Sequence, residues 1–244
     1  MGSYEMEQRY LDLLERCLLD DIYGSQDLAS GRAATEEEVN QGTLWPARAH
    51  TMVGRVRLRN IRACLHDVLE KGVEGDVIET GVWRGGSVIY MKGILAARSS
   101  SKRVYVADSF CGLPCPDERY PADRGDPHHT YDALAVARST VEENFRRYGL
   151  MDDSVRFVEG FFEHSLPTAG IDKLSLLRLD GDMYSSTIQA LNTLYDKVQK
   201  GGYVIVDDYA LSGCKHAVDD FRRDRGISEP LVQIDWTGHF WQKQ

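Results

Sequence analysis

Two groups of carboxylates in this chain sit where chemistry is possible. One is Asp180-Gly181-Asp182, at the end of the apolar run LSLLRLD; the other is the pair Asp207-Asp208, at the end of YVIVDD. If the two runs are adjacent parallel strands, Asp180 converges with Asp207 and Asp208 on one edge of a sheet. Carboxylates that close repel each other unless a cation neutralises them. Oxygen donors of this kind suit magnesium, calcium or manganese. A cation there binds an acceptor hydroxyl, lowers its pKa and orients it. Asp182, two residues beyond Asp180, is then placed to take the hydroxyl proton. The competing reading makes Asp182 a cap for a helix starting near Ser185-Ser186, because aspartate is a favoured cap.

A second group has the composition of a nucleoside site. ETGVWRGGS, from Glu79 to Ser87, has the form of a glycine-lined turn between a strand and a helix. It is not the dinucleotide fingerprint, because Trp83 stands where that pattern needs its second glycine, close to the pyrophosphate. The turn still admits a cofactor without a pyrophosphate, such as S-adenosylmethionine. Glu79 then sits near the sulfonium or amino group, and Thr80, Gly81 and Val82 belong to the same turn. Ser87 caps or donates at the first helical turn. Asp108-Ser109 closes the next strand, and Asp108 can accept from both hydroxyls of a ribose. Gly160-Phe161-Phe162 follows the third strand, where Gly160 and Phe162 let an adenine lie against backbone and ring, although either Phe fits a core equally well.

These residues need a scaffold that gathers strand ends. From Asp76 the chain alternates. DVIET, RVYVADSF, SVRFVEG, KLSLLRLDGD and YVIVDDY read as strands. Between them, GGSVIYMKGILAARSS, ALAVARSTVEENFRRYG and STIQALNTLYDKVQKGG read as helices, the last with Gly201-Gly202 as its stop. GCKHAVDDFRRDRG adds a helix, and LVQIDWTGHFWQK a final hairpin around Thr237-Gly238. The alternation predicts an α/β fold: a doubly wound parallel sheet, helices on both faces, and an antiparallel edge from the last two strands. Ligands in such folds lie beyond the carboxyl ends of the strands. Residues 1–70 read as a helical extension ahead of a cofactor domain over 71–244. One helix covers about 4–22, with Leu11, Leu14, Leu18 and Leu19 on a stripe. A second runs from Thr51 to about Glu70, where Arg55, Arg57, Arg59 and Arg62 give a basic side. The stretch 111–129 is a long loop, a length that usually signals function inside a compact domain.

The formal net charge of -9 disfavours nucleic acid and anionic membrane as partners. No apolar run reaches the ~18 residues of a spanning helix, and MGSYEMEQRY lacks the positive start of a secretory signal. The cysteines form no CxxC framework and predict reduced thiols in a cytoplasmic protein.

VIETGVWRGGS, ADSFCGLP, LLRLDGDMYSST and GGYVIVDDY, with GTLWP at 42–46, Thr51-Met52 and RLRN at 57–60, resemble the macrocin O-methyltransferase family over about 35–244. The resemblance implies a Rossmann-like class I methyltransferase sheet with an N-terminal helical lid. It implies metal-dependent methylation, from S-adenosylmethionine, of hydroxyls on sugars attached to macrolides, aminocoumarins and related antibiotics. Carried over by position, it makes Asp180, Asp207 and Asp208 the metal ligands and Asp182 the general base. Glu79 and Gly81 fall in the cofactor turn, Asp108 on the ribose, and Thr51 and Met52 in a segment that closes over the cofactor. It implies Mg2+, with Mn2+ as the alternative, a glycosylated small-molecule acceptor, and a homo-oligomer (dimer or higher) with the N-terminal region partly in its interface. The loop 111–129 departs from the family pattern and leaves sugar and aglycone unassigned. A catechol-type phenol O-methyltransferase shares the same logic, but the long loop and N-terminal region favour a larger acceptor. A non-catalytic S-adenosylmethionine-binding protein would be expected to have lost one of the four aspartates.

Overall fold

Apolar residues at three- and four-residue spacing make the N-terminal helices. In α1 (Ser3–Leu18) Leu11, Leu14 and Leu18 are buried. The short α2 (Glu36–Gln41) carries a capping box, in which Thr35 and Glu38 each bond the other's backbone N–H. In α3 (Arg55–Glu70) the buried stripe is Arg57, Ile61, Leu65 and Val68. The basic side expected on α3 faces acids. Arg55 donates to Glu15 at 2.8 Å and Arg62 to Asp12 at 2.7 Å, which ties α3 to α1, while Arg57 points inward. This computed structural model describes residues 2–244.

The rest alternates: β1 (Asp76–Thr80), α4 (Gly86–Ala97), β2 (Val104–Asp108), α5 (Arg138–Arg147), β3 (Val155–Glu159), α6 (Phe162–Thr168), β4 (Leu174–Leu179), α7 (Tyr184–Leu194), β5 (Val198–Val206), α8 (Ser212–Asp224), β6 (Val232–Gln233) and β7 (His239–Gln242). The sheet order is β3-β2-β1-β4-β5-β7-β6. The first five strands are parallel, and β7 runs antiparallel to both β5 and β6. Successive residues on each strand feed opposite cores. Val77, Leu176 and Ile205 pack with α1, α3 and α4, whereas Ile78, Leu177 and Val204 pack with α7 and α8. The leucines of α1 therefore share a core with the sheet's own helix α4. Every residue of β4 is buried, as a strand covered on both faces must be.

Some boundaries differ from the sequence expectation. α5 begins at Arg138, five residues late, because residues 132–134 form a 3-10 turn whose Ala133 carbonyl accepts the Trp83 indole N–H at 2.8 Å. Gly201-Gly202 does not stop a helix. α7 ends at Leu194, and both glycines lie inside β5, where a Cβ on Gly202 would stand 2.9 Å from the carbonyl oxygens of Gln199 and Ser175. α6, with Pro167 inside it, is not announced by any apolar period. Among the described residues no helix is long and apolar enough to cross a membrane.

Candidate active site

The carboxyl ends of β1, β2, β4 and β5 open into one cavity of about 410 Å³. Of the residues singled out from sequence, Thr51, Met52, Gly81, Val82, Ser87, Asp108, Ser109, Phe162, Asp180, Asp182, Asp207 and Asp208 line it. Glu79, Thr80 and Gly160 lie behind its wall. Glu79 is fully buried, bonded to the Ser87 hydroxyl and paired with Arg178, and its Oε2 has no partner among the described residues. The Thr80 hydroxyl donates to the Arg178 carbonyl at 3.3 Å, and the Gly160 carbonyl accepts from the Ser165 hydroxyl at 2.9 Å.

The turn after β1 is built from backbone. Gly81 has a φ of +88°, and a Cβ there would collide with the Asp180 carbonyl oxygen, so glycine is required for β1 and β4 to end side by side. Asp108 is held by main-chain donors: Val82 N–H at 2.8 Å and Phe110 N–H at 2.7 Å. Burial raises its pKa, and those N–H groups oppose the rise. The segment carrying Thr51 and Met52 is strapped to this turn. Gly86 N–H donates to the His50 carbonyl at 2.8 Å, and Arg84 donates to the carbonyls of Ala47 at 3.1 Å and Ala49 at 3.0 Å.

The ends of β4 and β5 are built from charge. Asp180, Asp207 and Asp208 present carboxylate oxygens within 4.8 Å of one another. Arg178, fully buried, pairs with Glu79 and Asp207 and donates to Asp180 at 2.7 Å. Arg57, buried on α3, holds the other oxygen of Asp207 and bonds Asp235 at 2.9 Å. Two arginines against this many acids leave an excess of negative charge. Burial, then the neighbouring Asp207, raises the Asp180 pKa. Burial, then Asp182, raises that of Asp208 far above the usual carboxylate range. Asp182 is pushed up to about 7 by burial and by Asp180. Asp182 also has a positive φ of 57°, and its N–H donates to Asp208 at 3.1 Å. Such backbone clusters where a side chain must be aimed. The donor set is all oxygen, open to the cavity and over-supplied with negative charge, so it fits a hard divalent cation.

Sequence reasoning passed over several residues of this region. Arg57 carried a signal, since it falls on the apolar stripe of α3 with Ile61 and Leu65. Arg178 interrupts an otherwise apolar strand, and a buried arginine almost always has a partner. The hairpin turn at 235–238 belongs to the site as well. Thr237 donates to the Asp207 carbonyl at 2.9 Å, and the Trp236 indole N–H to the Gln41 carbonyl at 2.8 Å, with the Trp236 ring in the cavity wall. The cap of α7 is Asp123 from the long loop, not Asp182. Its carboxylate accepts from Tyr184 N–H and Ser185 N–H at 2.7 and 2.9 Å. No local signal marked Asp123 or Asp235.

Comparison with known proteins gives the family. The family model described as Macrocin-O-methyltransferase (TylF) matches residues 7–243. The chain is 48% identical over 243 residues to the demethyldecarbamoylnovobiocin O-methyltransferase of Streptomyces niveus, covering 96% of this chain and 93% of that one. It is 45% identical over 239 residues to the 8-demethyl-8-(2,3-dimethoxy-alpha-L-rhamnosyl)-tetracenomycin-C 4'-O-methyltransferase of Streptomyces olivaceus, covering 96% and 92%. The solved structure of the O-methyltransferase NovP superposes with a TM-score of 0.93 at 47% identity, covering 98% of this chain and 99% of that one.

Proposed function

This chain belongs to the macrocin O-methyltransferase family, and from that membership and the site we propose that it methylates one sugar hydroxyl of a glycosylated natural product with the help of Mg2+. It is an S-adenosylmethionine-dependent O-methyltransferase on a Rossmann-like class I methyltransferase fold preceded by N-terminal helices. The observation that carries the proposal is the placement of Asp180, Asp207 and Asp208 in the same cavity as Asp108 and the Gly81 turn.

S-adenosylmethionine supplies a methyl carbon made electrophilic by its sulfonium. Asp108 accepts from the ribose hydroxyls with the lone pairs that Val82 and Phe110 leave free. Gly81 and Val82 give close backbone approach, Phe162 offers a ring face, and Thr51 and Met52 cover the cofactor from the lid segment. Glu79 acts from behind the wall by holding Ser87 and Arg178 in place. Asp180, Asp207 and Asp208 would hold a divalent cation, whose positive charge would acidify an acceptor hydroxyl. Asp182 takes the hydroxyl proton as the oxygen bonds to the methyl carbon, while the carbon–sulfur bond breaks and S-adenosylhomocysteine leaves with the electron pair on sulfur. The positive-φ backbone of Asp182 sets it in the cavity wall, in the same turn as Asp180. An aliphatic alcohol needs such a base more than a phenol does, which favours a sugar over a catechol. The N-terminal helices contribute to a homo-oligomer.

The test is incubation with S-adenosylmethionine, Mg2+ and a panel of glycosylated antibiotics and their aglycones, with catechol as a control. A mass gain of one methyl group on glycosides alone is expected. Chelation should abolish it, and Mg2+ should restore it. Full turnover in exhaustively chelated enzyme would remove the metal from the reaction, and methylation of catechol but of no glycoside would replace the sugar acceptor with a phenol.

A further inference from the structure

The long loop between β2 and α5 meets the metal end of the site through one side chain. Asp123, in a 3-10 turn spanning Pro121–Asp123, is 1% exposed. Its Oδ1 accepts from Tyr184 N–H at 2.7 Å and its Oδ2 from Ser185 N–H at 2.9 Å. These are the first two N–H groups of α7, which have no partner inside the helix. α7 has no cap of its own, because the residue at its N-cap is Met183. α8 starts beside the same carboxylate, where a Cβ on Gly213 would stand 3.2 Å from Asp123 Oδ1 and 2.9 Å from Tyr184 N. A negative charge at the starts of two helices is favoured by their dipoles.

Asp123 joins two working parts. On one side, Tyr184 directly follows Asp180-Gly181-Asp182-Met183, so the cap fixes the end of the turn that carries a metal-cluster carboxylate and the positive-φ Asp182. On the other side, Asp123 N–H donates to the Tyr120 carbonyl at 3.0 Å, and its carbonyl accepts from Asp126 N–H at 3.0 Å. Asp126 in turn bonds the His128 ring at 2.7 Å. Tyr120 and His128 both line the cavity, and Asp123 does not.

We propose that Asp123 is a positioning residue for methyl transfer: it locks the loop that walls the acceptor side of the cavity to the turn that carries Asp180 and Asp182. Acceptor and proton-accepting carboxylate are then aligned by one rigid unit. This rests on the methyl-transfer function proposed above. Misplacing a reacting group by ~1 Å costs ~100-fold in rate, so a residue that never touches substrate governs turnover.

The test compares Asp123→Asn and Asp123→Ala with the parent. Asp123→Ala should lower kcat ~100-fold and raise the acceptor KM ~10-fold, while the Kd for S-adenosylmethionine stays within about twofold. Asp123→Asn keeps one accepting oxygen and should fall between Ala and parent. Amide hydrogen exchange should speed up together in residues 111–130 and 180–187 of both variants, with 79–87 unchanged. Parental kcat and acceptor KM in folded Asp123→Ala overturn the proposal, however far its Tm falls. A cofactor Kd that rises as much as the acceptor KM also overturns it, because that is general loosening. If Asp123→Ala does not fold, Asp123→Asn decides by the same measures. Failure of the parent to methylate any glycoside defeats the proposed function instead. In that case parental exchange in either segment of Asp123→Asn still overturns the coupling, and joint acceleration supports it.

Discussion

The two ends of the cavity are built by opposite means. At the cofactor end, the carboxylate that lines the cavity, Asp108, is satisfied by backbone N–H groups, and glycine at 81 makes room, while Glu79 lies behind the wall on Arg178. At the metal end, Asp180, Asp182, Asp207 and Asp208 crowd together, and two buried arginines hold part of their charge. Dipoles fixed in the main chain cost nothing to hold once the strand has folded. Buried charges are costly one at a time and are stable only as a set. The cofactor end should therefore tolerate substitution locally, and the metal end should fail collectively.

The largest effect should come from breaking the set. Among the described residues, Arg178→Met removes the only cation bonded to Glu79 and one of two bonded to Asp207, leaving buried acids uncompensated. Loss of one partner from a buried ion pair costs about 3–5 kcal/mol. Urea unfolding in the presence of chelator reads this directly. Stability within about 1 kcal/mol of the parent would mean that the acids are protonated or hydrated rather than charge-balanced. Next comes Asp182→Asn, which separates chemistry from architecture within the same end. Asp123 already caps α7, so the change should leave the fold, metal affinity and cofactor affinity near the parent and lower single-turnover methyl transfer ~100-fold or more. Near-parental transfer with intact metal binding removes Asp182 from the role of base, and lost metal binding makes it a ligand.

The same contrast governs what the sequence reveals. Strand-end acids and glycines are local: Asp108 closes an apolar run, Gly81 follows one, and Asp180 and Asp207 end runs that the alternation places side by side. That much of the sheet and cavity is legible from period and position. The partners of the metal end are not local. Arg57 and Asp235 are 178 residues apart, and Asp123 caps a helix 61 residues away. Spacing carries no record of such pairs. Only an arginine on an apolar helix stripe and an arginine inside an apolar strand give hints, and neither says which acid it meets. Gly201-Gly202 misleads for a related reason: a glycine pair reads as a helix stop, whereas here the close approach of neighbouring backbone selects it.

A smaller effect is expected from Asp108→Asn at the cofactor end. The amide keeps one accepting oxygen and loses the charge, and hydrogen bonds to charged groups contribute about 1.5–3 kcal/mol. Part of that remains, so calorimetry should find S-adenosylmethionine binding ~10-fold weaker, with Mg2+ affinity unchanged. Equal losses of cofactor and metal affinity would mean that the two ends are one coupled network and would erase the distinction drawn between them.

The smallest effect lies in the cover of the cofactor end and concerns acid. His50 gives its carbonyl to Gly86, and its ring Nδ1 lies 2.7 Å from the Tyr148 hydroxyl. Burial lowers the His50 pKa, and Arg147 and Arg84 push the same way, with Asp20 opposing them. The hydrogen bond to Tyr148 takes its direction from the ring tautomer, and it is the buried, arginine-flanked surroundings that disfavour the charged ring. The sign follows from linkage. An unfolded histidine takes its proton near pH 6.5, and the folded one takes it lower. The unfolded state therefore binds more protons in that interval. The stabilisation is complete above about pH 6.5 and is lost progressively as pH falls from there through the folded pKa. His50→Gln has no such group, so its stability should depend less on pH across that window. The measurement is the difference in unfolding free energy between about pH 7.5 and about pH 5.5, taken for parent and variant in the same buffer. The acids and the half-buried His66 titrate alike in both proteins and cancel in the comparison. The parent should lose more than the variant on acidification. An identical loss in both would show that His50 stays neutral throughout or is equally easy to protonate when folded, and the cover would then owe nothing to its ring.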